Sequence, residues 1–407
     1  MADDASLSGR AYLKLVLLGV AIGIPAALIA AVFLAAVHEL EDALWPDDAQ
    51  WYRVVGLPVA GAAVVLAARK LLPGDGGHDP LAGIGGGVTP LSHAPGIALA
   101  ALGTLAFGAV LGPEAPLIAL GSVAGVAAAK LARLGPKETQ VLAMAGSFSA
   151  ISALFGGPLV AGMLMVEGAV GLGTKAVPAL LPGLVAAAIG YVLFVGLGDW
   201  GGLNTTALAF PGLPEYDGTY VIDLVVAVVV GIVTAILVGV IREAAARVQA
   251  QQRARLPATL LAGGLAVGLL AQLTEVLGGD WEETLFSGQS AVPELVAEGS
   301  VSIVLLVLAT KAIAYAICLG CGFRGGPVFP AIFLGVGVAT LPVIWFDMSP
   351  TVAVAIGTAA GMAAGTRLLF ASVLFAGLLV GTSGLDAIPA AVLAGAAAWL
   401  TMAARDR

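Results

Sequence analysis

The sequence predicts an all-α, multi-pass membrane protein. Three observations carry that prediction: apolar runs long enough to cross a bilayer recur along the 407 residues, 59% of the residues are hydrophobic against 11% charged, and mean hydropathy is +1.02, far above that of a soluble domain. The 56 glycines point to close helix packing and to broken or re-entrant segments, because helices in lipid approach one another through small residues. The formal net charge of −8 comes largely from acidic loops and indicates no nucleic-acid partner. Nothing in the pattern asks for a metal or a cofactor. Cys318 and Cys321 form a C-x-x-C in an apolar segment without a second ligand pair, so they read as small packing residues.

Taken in order, residues 13–40 make a first span flanked by Arg10 and Lys14. The apolar run is too long for a cleavable signal, and no small-residue cleavage site follows a short core. The acidic stretch 39–50, with Trp45 inside it and Trp51 and Tyr52 behind it, reads as an outer loop with interfacial aromatics. Residues 54–72 return and end on Arg69 and Lys70, which the positive-inside rule places in the cytoplasm. Residues 73–93 are glycine-rich and weakly hydrophobic, with Gly76-Gly77-His78-Asp79-Pro80 at their head. They predict a cytoplasmic loop or a re-entrant break tucked into the protein.

Residues 96–111 lead into Leu111-Gly112-Pro113-Glu114-Ala115-Pro116. Pro113 and Pro116 forbid a helix running straight through, and the apolar residues behind them read as the first turns of a new one. A free helix N-terminus offers unpaired N–H groups to an anion, and Glu114 sits where that anion belongs. The new helix, 117–134, closes on Lys130, Arg133 and Lys137. Residues 141–170 are interrupted at Phe155-Gly156-Gly157-Pro158 and predict two short helices. Residues 176–197 span again, and a polar outer loop runs to Tyr220.

Residues 223–248 run into Arg242, Arg247, Arg253 and Arg255, the strongest basic cluster, which fixes that loop inside. Residues 256–277 return, and 278–289 read as a polar, acidic outer loop. A span at 301–319, a break at 320–330, a helix at 331–345 and three further apolar segments ending at Met402 complete the chain. The whole of 1–407 is expected to be one transmembrane domain with no appended soluble domain, seated in the cell membrane among its lipids.

An internal repeat is visible. Pro113 to Gly121 can be laid over Pro327 to Gly335, and the same comparison pairs Phe155 with Phe370, Ala161-Gly162 with Ala376-Gly377 and Leu164 with Leu379. An inverted-topology repeat follows, with halves at about residues 73–197 and 290–404 and the substrate site where their broken helices meet. That sets Gly112 to Pro116 opposite Gly325 to Pro330.

Gly112-Pro113-Glu114-Ala115-Pro116, Phe155-Gly156-Gly157-Pro158-Leu159, Lys311 and Gly325-Gly326-Pro327-Val328-Phe329-Pro330, in that order, resemble the CLC family of chloride channels and proton-coupled chloride antiporters. The resemblance covers nearly the whole chain. It implies a homodimer with one anion pathway per subunit, lined by helix N-termini and gated by Glu114. Gly112, Pro113, Pro116, Gly325, Gly326 and Pro327 are then pore-lining. The family's G-S-G-I-P motif corresponds here to Gly77-His78-Asp79-Pro80, without the serine ligand, so His78 is the replacement candidate. Proline has no N–H, which removes Pro113 and Pro327 as donors and leaves the amides of Ala115, Val328 and Phe329. The family's pore tyrosine is absent, since no tyrosine follows Tyr315.

The family's inner proton glutamate aligns with Gly168. Glu167 stands one residue before it, about 100° away on a helix, and is the proton-path candidate. Lys175, Arg324 and Arg367 lie at segment ends and read as interfacial cations. Lys311, inside an apolar span, biases a vestibule positive in this reading. The expected function is gated passive conduction of chloride or another small anion. The alternatives are a proton-coupled antiporter for chloride or fluoride, and a non-transporting membrane receptor or assembly partner. None is an enzyme.

Overall fold

The computed structural model describes residues 9–46, 49–168, 177–203, 210, 212–252 and 255–406. Lys175 and Arg253 lie outside the described residues. Among the described residues the chain is helical throughout, with no strand beyond isolated bridges. Among the described residues, eight helices are long and apolar enough to span a membrane.

The first half runs through α1 (Gly9–Leu44), α2 (Trp51–Leu71), α3 (Ala94–Leu105), α4 (Glu114–Leu131), α5 (Pro136–Leu154), α6 (Pro158–Gly168) and α7 (Val177–Val195). Next come α8 (Val221–Gln252), α9 (Leu256–Val276), α10 (Trp281–Thr284), α11 (Val292–Ala297) and α12 (Val301–Cys321). The chain ends with α13 (Val328–Phe346), α14 (Pro350–Thr366), α15 (Leu369–Val380) and α16 (Ile388–Arg405). The succession α4–α7 matches α13–α16 in order and closely in length, which is the repeat seen from the backbone. The overlay slips in the third helix of each set: Phe155 precedes the start of α6, whereas Phe370 lies just inside α15.

Contacts divide the chain into two compact units. The first comprises Met1–Leu34, Gly86–Ala94 and Leu117–Thr206. Its core joins Leu15 and Ile22 of α1 to Leu142 and Ala145 of α5 and Ala186 of α7. Gly121 and Gly125 of α4 meet the α5 backbone at Gly146 and Leu142, with no room for a Cβ. The serines of α5 return hydrogen bonds to carbonyls, Ser147 to Ile118 at 2.8 Å and Ser149 to Gly23 at 2.7 Å. Without water in the bilayer, such hydroxyls satisfy themselves on neighbouring helices.

The second unit comprises Ala35–Gly85, Pro95–Pro116 and Ala207–Arg407. Its centre is α13, buried from Val328 through Thr340. The helix lies against α14 through Gly335, Gly357 and Gly361, and a Cβ on any of these would run into the facing backbone. The two outer loops differ from the sequence expectation. Helix α1 continues to Leu44, and Trp45 is buried, its Nε1–H donating to Ala106 O at 2.9 Å and its ring stacking on Trp281 at 5.1 Å. Of the three aromatics expected at this interface, Trp51 and Tyr52 are exposed. Stretch 278–289 folds inward: Trp281, Glu283, Thr284 and Leu285 are buried. The Thr284 hydroxyl lies 2.7 Å from that of Thr274 and 3.0 Å from that of Thr310. Burial first, and then the nearby Asp280, push the Glu283 carboxyl up to about 7.

The glycine-rich stretch after α2 is a loop held by charge. Arg69 donates to both carboxylate oxygens of Asp75, at 2.8 and 2.9 Å, and to Gly322 O at 2.8 Å. Arg324 donates to Asp75 Oδ2 at 2.5 Å and to Asp75 O at 2.9 Å. Arg324 is therefore not an interfacial cation: it is 7% exposed and clamps the loop to the start of α13. Lone buried guanidinium groups are costly, which is why this one is paired with a carboxylate and a carbonyl. Arg367 does sit at a helix end, pairing with Asp406 at 2.5 Å.

Two outcomes follow from this packing. Gly357→Ala is expected to lower stability by roughly 1–3 kcal/mol, read by thermal unfolding in detergent, whereas Gly299→Ala, which meets nothing, leaves it unchanged. Burial alone pushes the Asp75 carboxyl up, but hydrogen bonds and charge from Arg69 and Arg324 outweigh it and hold it below the ordinary value. A depressed carboxyl contributes stability that is complete above about pH 4 and is lost as pH falls through the folded value. Asp75→Asn should therefore be less stable than the wild type at neutral pH, and the gap should close on acidification through that window.

Candidate functional site

The site lies in the second unit, where the chain breaks twice. Gly112 and Gly326 form an antiparallel pair, Gly112 N–H donating to Gly326 O at 2.7 Å and Gly326 N–H to Gly112 O at 2.5 Å. The two glycine-proline segments singled out in the sequence are thus joined backbone to backbone, immediately before α4 and α13 begin. Both glycine amides are consumed by the pairing, so neither is a free donor.

Glu114 is the first residue of α4 and is completely buried. Its Oε1 accepts the Phe329 N–H at 2.9 Å, and Oε2 has no hydrogen-bond partner. The carboxylate therefore occupies the N-terminus of α13, where the helix dipole and unpaired amides favour negative charge. The space is tight. A Cβ on Gly112 would lie 2.5 Å from Oε2, and one on Gly326 would overlap the carboxylate. Only glycine at both positions leaves room for the acid.

Of the predicted donors, Phe329 is engaged by Glu114, and Val328 opens α13 beside it. Pro327 caps the helix, and its carbonyl accepts the Tyr315 hydroxyl at 2.7 Å. Tyr315, which the sequence marked only as the last tyrosine, thus fixes the turn that aims the Val328 and Phe329 amides. Ala115 and Pro116 face another space, a cavity of about 10 Å³ that they share with Gly76, His78, Ile97, Arg324 and Gly325. His78 Nε2 is buried and has no partner.

Asp79, beside His78, is tied back. One oxygen accepts Leu81 N–H at 3.0 Å and the other accepts Gln249 Nε2–H at 2.6 Å. Lys311 is fully buried, donating to Leu285 O at 2.5 Å and lying 4.6 Å from the Phe333 ring centroid. Its charge is spent on packing rather than on an open vestibule. Cys318 and Cys321 are buried and unbridged, and Cys318 Sγ accepts the Val110 N–H at 3.2 Å. Glu167 lies in the first unit, in the last turn of α6, and is partly buried.

A family model described as voltage gated chloride channel matches residues 79–402. A curated relative from Escherichia coli O139:H28, named "Putative ion-transport protein YfeO", is 30% identical over 358 residues, covering 82% of this chain and 79% of the relative. The protein of that name from Shigella boydii serotype 4 matches to the same extent. Among solved structures, a slow cyanobacterial Cl-/H+ antiporter superposes with a TM-score of 0.76 at 18% identity, covering 96% of this chain and 95% of that one. A CLC-type fluoride/proton antiporter gives 0.73 at 20% identity, covering 97% and 96%. The fold is theirs: an all-helical, multi-pass membrane protein with an inverted-topology repeat of broken helices. With most of its length matched by the family model, the chain belongs to the voltage gated chloride channel family.

Proposed function

We propose that this protein moves small inorganic anions, chloride or fluoride, across a membrane and that Glu114 is its gate. The observation that carries the reading is the seat of Glu114: a buried carboxylate accepting the Phe329 amide at the head of α13. An anion and this carboxylate want the same donors, so the side chain is a tethered competitor. It yields when a permeant anion displaces it or when protonation removes its charge. The family's homodimer, with one such pathway in each subunit, is part of the same reading, as is a domain whose repeats run at about 73–197 and 290–404.

Passive conduction is the first form of this reading, because Gly168 stands where a proton-coupled member carries its inner glutamate. Proton-coupled exchange is the second, favoured by the solved relatives, a Cl-/H+ and a fluoride/proton antiporter. Glu167 is its proton-path candidate.

In reconstituted vesicles, Glu114→Gln should raise anion flux, because a hydrogen bond to a neutral acceptor is worth about 1 kcal/mol less than one to a charged acceptor, roughly fivefold in the competitor's hold. Flux indistinguishable from wild type would refute the gate. Simultaneous proton recording separates the two forms: an anion gradient that drives proton movement assigns exchange, and flux without it assigns conduction. Gly326→Ala should reproduce the effect with the acid still present, since its Cβ takes the space the carboxylate needs. A Gly326→Ala protein with wild-type flux and wild-type fold would contradict the steric account.

A further inference from the structure

Where α8 begins and α13 ends, the second unit walls a cavity of about 480 Å³, within the size range of small-molecule sites. It lies apart from the Glu114 seat. Helix α13 runs 19 residues, about 28 Å, from the amide that holds Glu114 to Phe346 on the cavity wall. The far end of α8 carries Arg242 and Arg247 and is cytoplasmic by the positive-inside rule, so the cavity opens outside.

The wall carries one sign of charge. Glu215, Asp217, Asp223 and Asp347 line it, and no Lys, Arg or His does. None of the ion pairs among the described residues involves these four acids. Three of them are exposed at the rim, whereas Asp223 is 5% exposed. One Asp223 oxygen accepts the Tyr216 hydroxyl at 2.6 Å, but a carboxylate this buried is costly without a counter-charge. Ser349 Oγ, on the same wall, is buried and has no hydrogen-bond partner. A cation bearing N–H groups answers both.

Aromatic surface lines the same room. The rings of Tyr216 and Tyr220 meet edge to face at 6.1 Å, and Phe346 joins them on the wall; such faces attract an ammonium group and the carbons attached to it. The loop that brings the tyrosines is already fixed. Tyr216 N–H donates to Ser383 O at 2.9 Å, the Thr351 hydroxyl to Pro214 O at 2.5 Å, and Gly218 N–H to Asp386 Oδ2 at 3.0 Å. Among the described residues no three Asp, Glu, His or Cys side chains converge to hold a metal ion. Acids spread round a ring-lined room suit an organic cation charged at more than one point.

We propose that this cavity binds an aliphatic diamine, with one ammonium group on Asp223 and Ser349, the other among the rim acids Glu215, Asp217 and Asp347, and the carbon chain against the rings. Asp347 ends α13, so the outer charge also meets the carbonyl end of that helix.

The test titrates 1,4-diaminobutane dihydrochloride into the full-length protein in detergent at low ionic strength, read by calorimetry. Saturable binding is expected, with butylammonium chloride, which carries a single charge, a few-fold weaker. Asp223→Asn keeps an acceptor for Tyr216 and removes the charge, and should weaken the diamine about tenfold or more. Tyr220→Ala, at an exposed position, should weaken it about threefold. No saturable binding overturns the proposal, as does butylammonium binding as tightly as the diamine. Calcium chloride displacing the diamine at equal concentration would make this a metal site and overturn it too. Unchanged affinity in Asp223→Asn has the same force, and where that variant folds poorly, unchanged affinity in Tyr220→Ala decides in its place. No flux is read, so failure here leaves the Glu114 gate standing, and failure of the gate leaves this site.

Discussion

Everything at the site depends on two backbone hydrogen bonds between Gly112 and Gly326. They hold together the ends of two helices that start inside the protein, at a depth where unpaired amides have no water to turn to. Once joined, the segments have no tolerance for a side chain. The vacated volume on the glycine side is filled by the Glu114 carboxylate, and the head of α13 supplies its hydrogen bond. Pro327 has no N–H of its own; its carbonyl accepts the Tyr315 hydroxyl, and the Phe329 amide that follows donates to the Glu114 carboxylate. A helix N-terminus favours negative charge through this arithmetic of donors.

Three cations of the second unit are tied into the backbone. Arg69, Arg324 and Lys311 all lie within or against the core, and each is held by a carboxylate or a carbonyl. Arg69 and Arg324 fold the loop at Asp75 back against the residues before α13, and that loop carries His78. At the position corresponding to the resembling family's serine this loop carries the imidazole of His78, whose Nε2 is buried.

Much of this architecture is legible in the residues. Pro113, Pro116, Pro158 and Pro327 mark helix starts because proline removes a donor that the preceding helix would need, and α4, α6 and α13 begin at or beside them. Glu114 stands out because a lone carboxylate in an apolar run must have a partner. What stays hidden are pairings across sequence. Arg324 reads as an interfacial charge until Asp75, 249 positions away, is brought beside it. Stretch 278–289 reads as a solvated loop because its letters are polar. The side chains of Thr284 and Glu283 nonetheless turn inward, where Thr274 and Thr310 complete a hydroxyl cluster. The repeat is visible in the motifs, yet its register slips after α5 and α14 because a bend of the chain tolerates a few residues that a helix interior does not.

The central claim is that the Glu114 carboxylate and a permeant anion share one seat at the Phe329 amide. The direct measurement is anomalous diffraction from crystals of Glu114→Gln protein grown in bromide. The account predicts an anomalous peak within hydrogen-bond distance of the Phe329 N–H, with the glutamine side chain displaced from it. A carboxamide still seated on that amide, with bromide bound elsewhere in the protein and none there, would contradict it.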